Sequence, residues 1–132
     1  MTDEQWQEVY PELQPYEFRC KCGHPDCQST GEEMDFGFMV RLYAMRIELD
    51  ERLYVSSGVR CPLHPLSIAR AEKGDRPSTH TLAMAADVSN RRGTAGLRAL
   101  WQECEKHGFK GLGSYPDRND MFIHANGGSR GY

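Results

Sequence analysis

Three residues of this chain have the types and the settings to hold a metal ion: His80, Asp87 and His124. Asp87 lies within the apolar stretch Leu82-Ala83-Met84-Ala85-Ala86-Asp87-Val88, and His124 stands between Ile123 and Ala125. A carboxylate in such a segment is costly to bury unless it is paired or bound to a cation. Two imidazoles and one carboxylate would leave one position of a tetrahedral zinc ion open, the arrangement of catalytic rather than structural zinc. Spacing alone admits a plainer reading equally well: a buried aspartate that caps a turn, and a hydrogen-bonded core histidine.

Cysteines stand at positions 20, 22, 27, 61 and 104. An odd number, with no secretion signal expected, argues against a full disulfide framework. Three of them fall in Cys20-Lys21-Cys22-Gly23-His24-Pro25-Asp26-Cys27, and three readings stay open. With Cys61, His24 or His64 as a fourth ligand they could hold a structural zinc. A disulfide, for instance Cys20 to Cys61, could tie down the segment. All could also remain reduced and partly buried.

The elements that must position these residues follow from length and pattern. At 132 residues the chain has the usual size of one domain around one core. Sixteen Lys and Arg against nineteen Asp and Glu give a net charge of −3. That offers no basic surplus for nucleic acid and no basic amphipathic face for a membrane surface. The longest apolar run, Leu82 to Ala86, is far short of the roughly 20 residues that a bilayer span needs. The polar, acidic start Met1-Thr2-Asp3-Glu4-Gln5-Trp6 is not a Sec-type signal, so synthesis in a cytoplasm is expected.

Residues 1–35, broken by Pro11, Pro15 and Pro25, read as an irregular cysteine-rich arm with one short helix at Glu4 to Tyr10. Residues 36–132 are expected to form the core. Phe36, Met39, Val40, Tyr43 and Ile47 make a helical stripe running to about Glu51, capped by Asp35. Arg52 to Val55 alternates as a strand, and residues 60–79 form a loop with a helical turn at Leu66 to Ala71. Ala85 to Val88 is a buried strand. A second helix is capped by Thr94, carries Leu97, Leu100, Trp101 and Cys104 on its apolar stripe, and stops at Gly108. His107 ends that helix, favoured by the dipole. Strands at Phe109 to Tyr115 and Met121 to Ala125 complete an α+β domain with a small, mainly antiparallel sheet and flanking helices.

Four blocks stand in order: Ser57-Gly58-Val59-Arg60-Cys61-Pro62; Ser78-Thr79-His80-Thr81-Leu82-Ala83-Met84-Ala85-Ala86-Asp87; Gly111-Leu112-Gly113-Ser114-Tyr115-Pro116; and Phe122-Ile123-His124. Together they resemble peptidase family M15, the zinc D-Ala-D-Ala carboxypeptidases and phage endolysin L-Ala-D-Glu peptidases, in its short phage-type branch. The resemblance spans roughly residues 16–126 and implies the fold shared with the hedgehog signalling domain. It implies a catalytic zinc on His80, Asp87 and His124, with substrate contacts at Arg60, Ser57 and Tyr115. Zinc-activated water, helped by a carboxylate base, would then hydrolyse a peptide bond in the stem or cross-bridge of bacterial peptidoglycan. The expected enzyme is a monomeric phage or prophage wall hydrolase that reaches its substrate after holin-type release or as a virion component. It needs no nucleic acid and no membrane insertion.

This chain departs from the family pattern twice. Ala83 replaces a glycine, which is strained if its φ is positive. The general base is displaced: the two positions where an acid stands in the family hold Met121 and Asn126. Strand alternation puts Asn126 on the face of His124, about 6–7 Å along. Asp120 shares that face at about 13 Å and Asp117 lies in the preceding turn, so both are candidate bases. The rival expectation is a zinc-containing binding or virion module that has lost its base.

Overall fold

The first long helix begins where polar sequence gives way to apolar at Asp35. Its carboxylate accepts from the Phe38 N–H at 2.9 Å, and the helix ends at Asp50, whose φ of 49° is left-handed. The computed structural model describes residues 1–109, 111–114 and 122–127. The elements, in chain order, are α1 (Asp3–Val9), α2 (Pro15–Phe18), α3 (Phe36–Leu49), β1 (Tyr54–Ser57), α4 (Pro65–Glu72), β2 (Ala85–Ser89), α5 (Gly93–Lys106), β3 (Gly111–Ser114) and β4 (Ile123–Asn126). The sheet runs β1-β2-β4-β3 with every pairing antiparallel, so the α+β expectation holds. No helix among the described residues is long and apolar enough to cross a membrane.

Several local expectations need correction. The arm is less irregular than its prolines suggest. Thr2 and Gln5 form a reciprocal capping box on α1, and Pro15 opens α2. Trp6, Val9, Leu13, Phe18 and Met34 join the same core cluster as the later helices. The buried face of α3 is Phe38, Met39, Leu42 and Met45, while Val40 and Ile47 are exposed. Both stripes have helical spacing. The partners choose between them: Phe109 packs edge-on to Phe38 at 5.5 Å, and the Cys104 thiol meets the Met45 sulfur at 3.6 Å. The first strand is Tyr54–Ser57 rather than Arg52 to Val55, because it follows β2 through a bulge at Ser56. The loop turn is a helix, Pro65–Glu72, with Pro65 in its first turn. Arg92, not Thr94, stands at the N-cap position of α5, without a side-chain capping bond. Its stop at Gly108 is as expected, with Gly108 and Phe109 N–H donating to the Glu105 and Cys104 carbonyls. Of the last two predicted strands, Tyr115 and Met121 lie outside the described residues.

The sheet divides its faces by alternation. Ala86, Val88, Ile123 and Ala125 point into the core cluster, so Asp87, His124 and Asn126 stand on the opposite face. Residues 78–84 reach that face by one tight turn, in which Ala83 N–H donates to the His80 carbonyl and Met84 N–H to that of Thr79. This is the pattern that ends a helix, and it puts the residue at the left-handed position under strain unless it is glycine. Here that residue is Ala83, with φ 60°. Ala83→Gly should therefore stabilise the fold by about 0.5–1 kcal/mol, the left-handed penalty less the extra unfolded-state entropy of glycine. Urea unfolding at fixed metal concentration reads it; an equal or lower midpoint would show that the turn relaxes around the methyl group.

Candidate metal centre

Register builds the site. Asp87 on β2 and His124 on β4 are direct partners across the antiparallel pair, and the turn before β2 brings His80 over them. His80 Nε2 lies 3.1 Å from Asp87 Oδ1 and 3.1 Å from His124 Nδ1, and His124 Nδ1 lies 3.0 Å from the same carboxylate oxygen. All three side chains are buried. His80 Nδ1 sits 2.7 Å from the Gly58 carbonyl; a carbonyl only accepts, so Nδ1 carries the proton and Nε2 presents a lone pair. Three such atoms converging in a buried space need a cation or a shared proton between them. A tetrahedral ion with ligands at about 2.0 Å has ligand–ligand edges of about 3.3 Å, so the triangle fits zinc. Burial by itself would push the Asp87 carboxyl up, but hydrogen bonds from the His124 and His80 rings, made when protons rather than a cation sit on the facing nitrogens, outweigh it and bring it down to about 2. Asp87 caps no turn; it sits in mid-strand.

The glycines of the sequence blocks acquire physical reasons here. A Cβ on Gly58 would stand 2.6 Å from the Phe18 carbonyl oxygen, and the Val59 N–H donates to that oxygen at 2.8 Å. The arm therefore presses directly on the segment that holds His80. Gly111 and Gly113 face Asn126 and His124 across the β3–β4 pair, and a Cβ on Gly111 would meet the Asn126 amide nitrogen at 1.9 Å. Glycine there makes room for a fully buried Asn126.

Asn126 shares the face of His124, but its amide nitrogen lies 3.5 Å from Nε2, the ring nitrogen turned away from the cluster. Strand alternation puts it on that face about 6–7 Å along; the structure sets its amide behind the His124 ring. With its oxygen turned to that side, it would accept the Nε2 proton and leave Nδ1 a lone pair. Asp117, Asp120 and Tyr115 lie outside the described residues.

Arg60 Nη2 stands 3.5 Å from Asp87 Oδ2, and its backbone N–H donates to the His80 carbonyl. Arg60 and Ser57 line a cleft of about 250 Å³ together with Asp87, Arg19, Lys21 and His64. Burial, then Arg60 and His80, holds the His64 imidazole below its usual range. Arg19 and Lys21 escaped the sequence reading. Their signal is the alternation Arg19-Cys20-Lys21-Cys22, which in an extended segment sends cations to one side and thiols to the other.

The thiols gather as well. All five cysteines are free, so the Cys20–Cys61 disulfide is not formed. Cys20, Cys22, Cys27 and Cys61 nonetheless meet in one cluster, without His24 or His64. Cys104 is core, as expected, and burial pushes its thiol up to about 12.

A family model described as Peptidase M15 matches residues 11–126 of the chain. No curated protein matches it.

The room left for Asn126 can be tested. Gly111→Ala should lower stability by about 1–3 kcal/mol through overpacking. Gly113→Ala, whose Cβ would stand 3.8 Å from that of His124, should cost under about 1 kcal/mol. Equal unfolding midpoints for the two variants would mean that Asn126 can vacate the space.

Proposed function

The chain belongs to the peptidase M15 family, and from that premise we propose that it is a zinc-dependent peptidase cleaving a peptide bond in bacterial peptidoglycan. One observation carries the reading: the buried triangle of His80, Asp87 and His124, with edges of 3.0–3.1 Å, opens beside a cleft lined by Arg60, Arg19 and Lys21. His80, Asp87 and His124 would hold the zinc, which when bound would supply Lewis-acid chemistry toward the scissile carbonyl and water. The remaining work falls to the chain. The Gly58 carbonyl holds the His80 tautomer, and Asn126 backs the His124 ring. Arg60 would pair with a substrate carboxylate, with Ser57 and Tyr115 as further contacts. Peptidoglycan stems carry such carboxylates on D-Glu and on terminal D-Ala, and three cations around one cleft favour an anionic peptide. The proton-accepting carboxylate is Asp120 or Asp117 in this reading. A wall-degrading role in a phage or prophage, with the protein released through a holin or carried in the virion, suits such an enzyme.

The second reading, a zinc-containing binding or virion module without catalysis, has Asn126 in its favour, because an amide cannot take a proton from water at neutral pH. Purified peptidoglycan separates the two. Wild type should release new amino termini, and chelator or His80→Ala should abolish the release. Arg60→Ala should lower kcat/KM by about 10- to 100-fold, the loss of a charged hydrogen bond. Replacing the base, Asp120→Asn or Asp117→Asn, should cost about 10²–10⁴-fold. Binding without any release of amino termini, even for Asn126→Asp, would favour the module.

A further inference from the structure

Four thiols meet at a place that the peptidase chemistry leaves unused. The Sγ atoms of Cys20, Cys22, Cys27 and Cys61 all lie within 4.8 Å of one another, and the Cys22–Cys61 separation is 3.6 Å. Zinc–thiolate bonds of about 2.3 Å in a tetrahedron give sulfur–sulfur edges of about 3.8 Å, whereas a disulfide needs about 2.0 Å. Two backbone N–H groups already point at the sulfurs. His24 N–H donates to Cys22 Sγ at 3.4 Å, and Cys61 N–H to Cys20 Sγ at 3.3 Å. N–H donors aimed at sulfur are the outer bonds that a metal-bound sulfur ligand accepts. The first is made by a tight turn that Gly23, with φ 72°, permits. Cys20 and Cys61 are buried and the other two half-buried. The cluster is thus enclosed by protein on the side facing the fold.

We infer that Cys20, Cys22, Cys27 and Cys61 bind a second zinc ion, a closed four-cysteine site that clamps the arm to the segment carrying Arg60. Four protein ligands leave no position for substrate, so the site serves the fold. Its effect on the active face is nonetheless direct. Cys61 follows Arg60, and three residues before Cys61 stands Gly58, whose carbonyl holds His80. On the other side of the clamp, Arg19 and Lys21 alternate with Cys20 and Cys22 and line the cleft. The ion ties segments 41 residues apart, so it closes a long loop that packing would otherwise close alone. This inference stands apart from the proposed peptidase activity.

Elemental analysis of the full chain, purified under reducing conditions without chelator, tests it. Wild type should hold about two zinc ions per chain, and His80→Ala and the double variant Cys22→Ser/Cys27→Ser about one each. Cobalt-loaded His80→Ala should show intense thiolate-to-metal charge-transfer absorption, which the His-Asp-His site cannot produce. A measurement on wild type alone covers the case in which a variant does not fold. The four cysteines should resist alkylation in the native protein and react, by mass spectrometry, once a strong chelator is added. Zinc near one that disappears in His80→Ala, or equal alkylation with and without chelator, would overturn the second site while leaving the peptidase reading intact. One zinc that survives His80→Ala but not Cys22→Ser/Cys27→Ser would support the clamp and remove the proposed catalytic zinc.

Discussion

The pairing of β2 with β4 is the constraint on which the rest depends. In this register Asp87 stands opposite His124, while their neighbours Ala86, Val88, Ile123 and Ala125 all enter the core. A slip of one residue would exchange the two faces, sending a carboxylate and an imidazole into the apolar core and the apolar side chains to the cleft. Burial of the core face thus enforces the geometry of the face that carries Asp87 and His124. β2 is an interior strand, paired with β1 on one edge and β4 on the other, and is buried along almost its whole length.

Around this pair the fold supplies orientation. A histidine ligand has two ring nitrogens, and the group bonded to one decides what the other can do. The Gly58 carbonyl makes that choice for His80. Gly58 can approach because it has no side chain to collide with Phe18 of the arm. The arm is therefore a supporting wall of the site, and residues 19–22 run from that wall into both the cleft and the thiol cluster. On the far side, Gly111 leaves the space in which Asn126 backs His124. Asp87 divides its two oxygens: Oδ1 toward the histidines and Oδ2 toward Arg60. The same carboxylate so joins the two histidines to the Arg60 cation at the cleft.

Much of this was legible in the chain itself. Asp87 in an apolar run and His124 in an apolar strand announced polar groups with a reason to be buried, and helix starts and stops such as Asp35 and Gly108 follow from backbone hydrogen-bonding rules that act within a few residues. The order of elements and the antiparallel sheet followed from period and punctuation for the same reason. Apart from local shifts such as the α5 cap and the β1 bounds, what failed was decided at longer range. Phe36, Val40 and Ile47 satisfy helical spacing as well as Phe38, Leu42 and Met45 do, and only the positions of Phe109 and Cys104 selected the buried set. Strand period put Asn126 on the right face. It could not show that the gap opposite Gly111 draws its amide behind the His124 ring. Cys61 is more than thirty residues from Cys27 in sequence, so the choice of the fourth thiol over His24 or His64 was made by the pressing of the arm onto the β1 exit. By itself, the sequence determined which groups could do chemistry and the local elements that carry them, because propensity, capping and alternation are short-range. Tertiary packing alone decided which atoms of those groups face one another, because that depends on contacts between segments whose separation along the chain carries no spacing signal.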